Sequence, residues 1–503
     1  GHTAEELEQA LNEELDRFRA APPEAAEVER ARNTIETRVI EDLEKQGGFG
    51  GVADRLNTYN HFLGTPDYLQ QDLQRHEAVS PASVHAFVTG QLQNSARVVV
   101  HVVPGEPDLG PQVPSPGPPR VKDGEGSESL NADEAWRNEP PKASAARPLT
   151  LPTPETAKLA NGLTLILNQR TGLPVVAADL VVGTGNDTSP VNKPGLASFT
   201  AAMLDEGTAT RDALGIADAL AQIGASLTTG VTMDATFVQG GSLKRNFSQL
   251  LDLMADVVRR PSFPGAEIER QRANRLARIV EQREDPGQLA AKVMASTLYG
   301  ARHPYGFTDL GTEQAVKAAA REDMESFWKQ NFVPNNSALV VAGDMSLPEL
   351  TDLAERAFGS WAPGTPARPA FGSPETSRAR IVIADKPGAQ QTAVRVIGIG
   401  VPRSTPDFNA IEVMNTALGG LFSSRINMNL REAHGYTYGA SSQFVFRRSA
   451  GPFVVGAGIR TDVTAPAVAE IFKEIARMTE QPLGEDELRL SKDAISRSIP
   501  ANF

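Results

Sequence analysis

Two stretches at opposite ends of this 503-residue chain carry the same apolar pattern. Leu11, Leu15, Phe18, Pro22, Val28, Ile35 and Val39 match Ile471, Ile475, Met478, Pro482, Leu488, Ile495 and Ile499, each pair offset by 460 (482 − 22 for the prolines). Their three- and four-residue spacing reads as helix–loop–helix in both places. Self-similarity at a fixed offset marks duplicated units. The chain is therefore expected to begin partway through one unit and to stop at nearly the same point of the next. On that reading it is a fragment of a parent of about twice the period, on the order of 900 residues. One hydrophobic core stops growing at roughly 250–300 residues, so two or more domains are expected.

Composition removes several chemistries. The net charge is −13, which argues against binding nucleic acid through its phosphates. No apolar run reaches the roughly 20 residues needed to span a bilayer. The absence of cysteine excludes disulfides, thiolate nucleophiles and Cys-ligated metal. Of the seven histidines (His2, His61, His76, His85, His101, His303 and His434), no two stand three to five residues apart. A helical His pair able to grip zinc is thus missing from the chain.

Residues 105–150 are rich in Pro, Gly and Ser, as in PGEPDLGPQVPSPGPPRVKDGEGSESL, and read as an interdomain linker. Before it, Leu7, Leu11, Leu15 and Phe18 make a helical stripe. Val98, Val99, Val100, Val102 and Val103 predict a buried-type strand. After it, LTLILN (163–168), VVAADLVVG (175–183) and SALVVAGD (337–344) predict strands, and GLASFTAAMLDEG begins a helix. A second round follows, with strands at ARIVIAD (379–385) and AVRVIGIGV (393–401) and a helix from about Asp407 to Leu418. The expected fold class is α+β: repeated two-layer domains of antiparallel-rich sheet packed with helices.

The stretch NGLTLILNQRTGLPVVAADLVVGTGNDTSPVNKPGLASFTAAMLDEGT resembles the opening of the inverzincin zinc metallopeptidases, the family of pitrilysin, insulysin and the mitochondrial processing peptidase. Active members carry H-x-x-E-H within GLAHLLEHMLFKGT-like sequence. On that frame Ser198, Ala201 and Ala202 stand where His, Glu and His would be, and RLARIVEQREDP puts Arg278 at the third ligand's position. Alanine cannot ligate, serine ligates weakly and an arginine repels a cation; the general base for zinc-bound water is missing as well. Ser198 has no histidine paired with it in sequence, and the helix reads as the wall of a cavity without metal.

A second motif is intact. LGGLFSSRINMNLREAHGYTYGASS resembles the family's L-G-G-G-x-S-S-R-L…L-R-E-x-x-G-L-x-Y-x-x-x-S. The resemblance implies that Arg431 and Tyr438 reach substrate at the metal of the other half, the guanidinium holding carbonyls and the hydroxyl facing the oxyanion. Tyr436 is the rival if the register slips by two. The bland alternative is that Arg431 pairs with a nearby carboxylate and Tyr438 packs. HPYGFTDLGTEQ (303–314) resembles a family loop in which His303 is structural. FWKQNFVPNNSALVVAGD (327–344) and VSPASVHAFVTGQLQNSARVVVHVVP resemble domain ends.

The resemblance covers residues 1–104 and 150–503. It implies the end of a preceding domain at 1–104, a domain with a degenerate zinc motif at 151–361, and an incomplete C-terminal-type domain carrying the Arg/Tyr pair at 362–503. The implied function is the non-zinc half of a zinc metalloendopeptidase acting on peptides or unfolded segments. No cofactor is expected in this chain; zinc belongs to the missing N-terminal half, which is the expected partner alongside substrate. By itself the chain should be inactive. The alternative is a non-catalytic peptide-binding or structural relative, like the core proteins of respiratory complexes. A zinc half on a separate chain is a third arrangement, against which the linker argues. A periplasmic location fits bacterial relatives and the lack of cysteine, and a cytoplasmic one fits equally.

Overall fold

The computed structural model describes residues 2–102, 105, 136, 150–369 and 379–502. The expected linker and the residue Val103 lie almost wholly outside these. The chain divides into two compact units, one of residues 1–25 and 79–151, the other of residues 26–78 and 152–503. The expected segment 1–104 is therefore shared between them.

In the smaller unit, helices α1 (Ala4–Ala20) and α5 (Pro81–Gln91) pack together. Thr3 and Glu6 form a capping box on α1, and Ser80 and Ser83 do the same for α5, each satisfying otherwise orphaned N–H groups. Arg19 donates to Leu92 O at 2.5 Å and to Asn94 Oδ1 at 3.0 Å, and His85 Nε2 lies 3.0 Å from Arg19 O. Of the valines expected to form a strand, the described ones, Val98, Val99, Val100 and Val102, do not form one. Residues 97–102 are unpaired, with Val98 and Val102 each 90% exposed.

The larger unit opens with helices α2 (Ala25–Asp42), α3 (Val52–Leu63) and α4 (Leu69–Glu77). A six-stranded sheet follows, built from β1 (Glu155–Lys158), β2 (Thr164–Gln169), β3 (Val175–Val182), β4 (Ser226–Val231), β5 (Thr236–Leu243) and β6 (Ser337–Gly343). The strand order is β1-β2-β6-β3-β5-β4, antiparallel except for the parallel β2–β6 pair. β6 alternates buried and half-buried along its whole length, the period-two signature of a sheet with one face covered. The helices of this domain are α6 (Leu196–Ala201), α7 (Ala213–Gln222), α8 (Phe247–Arg259), α9 (Gly265–Glu284), α10 (Pro286–Tyr299), α11 (Glu313–Ala318), α12 (Arg321–Asn331) and α13 (Leu347–Phe358). Leu165, Leu180, Leu339 and Val341 of the sheet share one core with Leu250, Met254 and Leu350 of α8 and α13. Each such side chain contributes roughly 1.5–3 kcal/mol on burial.

A smaller sheet follows: β7 (Gln391–Ile399), β8 (Thr437–Phe444) and β9 (Pro452–Arg460), in the order β7-β9-β8 and fully antiparallel. This is the arrangement of β3-β5-β4 in the first sheet, so the second round of the pattern repeats the first in topology. Helices α14 (Phe408–Asn415), α15 (Arg425–Asn427), α16 (Thr464–Glu480) and α17 (Glu485–Ser498) complete it. Ala467 and Ile471 of α16, Ile426 and Leu430 join Val455 and Ile459 in a second core. The expected strand at 379–385 is not formed; Ile381 is 90% and Ile383 84% exposed.

The repeat seen in the sequence reappears in the helices. α1 and α16 share both boundaries at the 460 offset (464 − 4 and 480 − 20), and α2 and α17 share their first residue at it (485 − 25). Their surroundings differ: α16 buries Ala467 and Ile471, whereas no residue of α1 is buried and Leu11 is 65% exposed.

The turn between β8 and β9 ties the two sheets together. Arg448 Nη1 donates to Asp187 Oδ2 at 2.9 Å, and its Nη2 donates to Asp234 O at 2.7 Å and Gly183 O at 3.1 Å. The backbone N–H of Arg448 donates to Asp234 Oδ2 at 2.8 Å, and Tyr305 donates to Oδ1 of the same carboxylate at 2.9 Å. Tyr299 donates to Ala450 O at 3.0 Å.

Candidate functional site

Two places could carry chemistry: the helix where a metal motif would lie, and the turn before β8. The first is α6. Gly195 precedes it with φ +85°, and a Cβ there would meet Gly311 Cα at 2.9 Å, so only glycine lets the loop pass. Ser198 and Ala201 face inward and are buried; Ala202 caps the helix and is half-buried. The Ser198 hydroxyl lies 2.9 Å from Gly195 O and also meets Asp309 O.

The buried cation beside this helix is Arg275, which sequence reasoning missed. It is 5% exposed, donates from Nη2 to Ser198 Oγ at 2.6 Å and to Asp309 O at 3.2 Å, and lies 5.0 Å over the Phe199 ring. Burial lowers its pKa to about 10, Asp309 working against that shift and Arg278 adding to it. Arg278, the position matched to the third metal ligand, is exposed on α9. At 100° per residue a three-residue step turns a side chain about 60° off, and here that separates the buried guanidinium from the solvated one. An inward-facing apolar neighbour, Ile279, is the signal that could have set the helix phase.

These residues do not fit zinc. The position beside Ser198 holds a guanidinium, and Ala201 and Ala202 have no donor atom. Among the described residues, no three His, Cys, Asp or Glu side chains are grouped to hold a metal ion. His303 is 7% exposed, accepts the Tyr305 N–H on Nδ1 at 3.0 Å, and its ring lies 5.0 Å from those of Tyr299 and Tyr305.

The second place is built on a π-helical turn, Met428–Ala433, and the start of β8. Such turns recur at functional sites. β8 pairs Thr437 with Ile459 and Ala440 with Ala457, so one extra residue on β8 makes a bulge there. Thr437 braces it: its hydroxyl lies 2.7 Å from Gly458 O and accepts the Gly439 N–H at 3.1 Å. The bulge aims Tyr438 outward, 85% exposed, while Tyr436 is partly buried against the second core. The Arg431 guanidinium lies 5.0 Å over the Tyr438 ring and 4.5 Å over that of Phe422, itself 61% exposed. Its Nε is 3.4 Å from Glu432 Oε1, an exposed neighbour that competes weakly with solvent. The structure thus brings Arg431 and Tyr438 together and adds Phe422. The result is a half-buried cation between two exposed rings, able to donate to carbonyl or carboxylate oxygen.

The six-stranded sheet, and the three-stranded sheet that repeats its β3-β5-β4 order, define an α+β chain of repeated units. Comparison with known proteins agrees. The family model described as "Insulinase (Peptidase family M16)" matches residues 165–305, and that described as "Peptidase M16 inactive domain" matches residues 318–495. The chain belongs to this family. An uncharacterized zinc protease of Mycobacterium leprae is 27% identical over 348 residues, 68% of this chain and 77% of that protein. One of Rickettsia felis is 26% identical over 353 residues, 68% and 82% of the two chains. A crystal structure of a peptidase M16 inactive domain from Pseudomonas fluorescens matches with TM-score 0.65 and 26% identity, over 68% of this chain and 83% of that one. A protease from Helicobacter pylori shares the fold with TM-score 0.66 at 18% identity, over 70% and 86%.

Proposed function

We propose that this chain is the non-zinc half of a zinc metalloendopeptidase that acts on peptides or unfolded segments. Zinc, its ligands and the base would come from a partner half. This chain would supply Arg431 to hold substrate carbonyls and Tyr438 to donate to the developing oxyanion. One observation carries the reading: the Arg431 guanidinium stacks at 5.0 Å on Tyr438, which a bulge in β8 presents to solvent. A tyrosine serving only to pack would be buried, as Tyr436 partly is.

The test is fluorescence anisotropy of a labelled unfolded peptide, such as a casein fragment, titrated with the chain. Binding is expected, with Kd raised about fivefold or more by Arg431→Ala, in the range of one lost charge-assisted hydrogen bond. Tyr438→Phe keeps the ring and should leave binding nearly unchanged, since its hydroxyl would act on the oxyanion. No cleavage is expected with or without added zinc. Chelator-sensitive cleavage by the chain alone, or binding indifferent to Arg431, would overturn the proposal.

A further inference from the structure

The face of the β7-β9-β8 sheet turned away from α16 carries a shallow groove of about 330 Å³. Its floor follows the sheet register. Arg395 on β7 stands opposite Gly456 on β9, which stands opposite Ser441 on β8. Gly458 and Gly439 flank this row on one side, and Val454 and Gln443 on the other. Gly439 directly follows Tyr438, so the groove starts where the Arg431–Tyr438 pair ends.

Three features specify the occupant. The centre of the floor, Gly456, lies under the Arg395 guanidinium, which a Cβ there would meet at 3.5 Å, and Gly458 lies under the Gln391 amide; the part of the floor along β8, at Gly439 and Ser441, is left open for a main chain. Arg395 supplies a positive charge: its Nη1 donates to Val394 O at 2.9 Å, and among the described residues no ion pair holds it. Beyond Arg395 the way is closed by α10, whose Gly287 lies against the guanidinium and whose Leu298 and Tyr299 pack on Ile397 of the same strand. Neighbouring strands are about 4.8 Å apart, so the guanidinium over β9 stands about 5 Å from β8, within one or two residues of extended chain. A chain that enters at Tyr438 and crosses toward Arg395 therefore has to end there.

We propose, building on the role given above to Arg431 and Tyr438, that this groove binds the last residues of an extended peptide, with Arg395 taking its terminal carboxylate. A guanidinium meets a carboxylate through two parallel N–H···O bonds, which an amide cannot reproduce. Ser441 and Gln443 offer polar groups to the peptide backbone alongside. The inference assigns the groove a directional preference: a free carboxyl end rather than a chain that continues.

The experiment compares one N-terminally labelled unfolded peptide with a free C-terminal carboxylate, the same peptide as its C-terminal amide, and the amide with a penultimate Asp. For the native chain, Kd is expected to be five- to twentyfold lower for the free acid than for either amide. Arg395→Gln should abolish that difference, with Kd for the amides unchanged. Gly439→Val gives an independent check: a Cβ there meets nothing nearer than Asn427 Oδ1 at 4.0 Å, so the fold tolerates it while the groove mouth narrows. It should weaken the acid peptide. Equal binding of acid and amide, or a difference that survives Arg395→Gln, overturns the subsite. Equal binding of the acid and the Asp-containing amide overturns the terminal assignment. If binding depends on Arg431 but not on Arg395, only the groove inference fails. If no peptide binds at all, both readings fail.

Discussion

Arg275 offers a quantitative test of how the fold holds a buried cation beside α6. The residue is 5% exposed and among the described residues no carboxylate pairs with it; its partners are Ser198 Oγ, Asp309 O and Gly195 O. Burial lowers its pKa from 12.5 to about 10. At 1.36 kcal/mol per unit, the cation costs the folded state roughly 3 kcal/mol. Its hydrogen bonds offset part of this, at about 1.5 kcal/mol for the good one to Ser198. Arg275→Met keeps the length of the side chain and its packing on Phe199 and removes the charge. Ser198 still reaches Gly195 O and Asp309 O, so no new donor is stranded. Arg275→Met is therefore expected to lie within about 1.5 kcal/mol of the native chain, on the stabilising side. Arg275→Ala removes the charge too, but opens a cavity and should cost about 2–4 kcal/mol. Urea denaturation measures both, provided the slope is unchanged. A loss above about 3 kcal/mol for Arg275→Met would refute the reasoning, since the guanidinium would then be a net stabiliser despite its burial.

Asp187 should make stability pH-dependent. Burial raises its pKa from 3.8 to about 6, with Arg448 opposing and Asp234 reinforcing the shift. The folded chain then holds more protons than the unfolded one between these values, so this group's contribution is complete below about pH 4 and is lost as pH rises through 6. Between pH 5 and pH 7 the change is roughly 1 kcal/mol; Asp187→Asn should flatten the urea-midpoint profile by that amount, and an unaltered profile would contradict the assignment. At Gly311, with φ +73°, a Cβ would sit 1.9 Å from Pro194 O. Gly311→Ala should therefore cost about 3 kcal/mol or more and lower Tm visibly; a native-like melt would mean that the loop before α6 can move aside.

Much of the fold was legible along the chain because it depends on neighbours in sequence. The alternation in 163–168, 175–183 and 337–344 is that of β2, β3 and β6, and the apolar spacing at both ends is that of two helix pairs with matching starts. Residue identity alone also removes zinc ligation at Ala201 and Ala202, since no fold gives a methyl group a donor atom. Tertiary structure decided what needs a partner or a phase. Val98–Val102 and Ile381–Ile383 have strand-like composition but meet no strand edge, and a strand's hydrogen bonds lie outside itself. The rotation of α9 buried Arg275 and left Arg278 in solvent, because its turns are fixed by how Ile268 and Ile279 seat in the core. One inserted residue in β8 chose Tyr438 over Tyr436 as the tyrosine facing out, since a single-residue shift in a pleated strand exchanges its two faces.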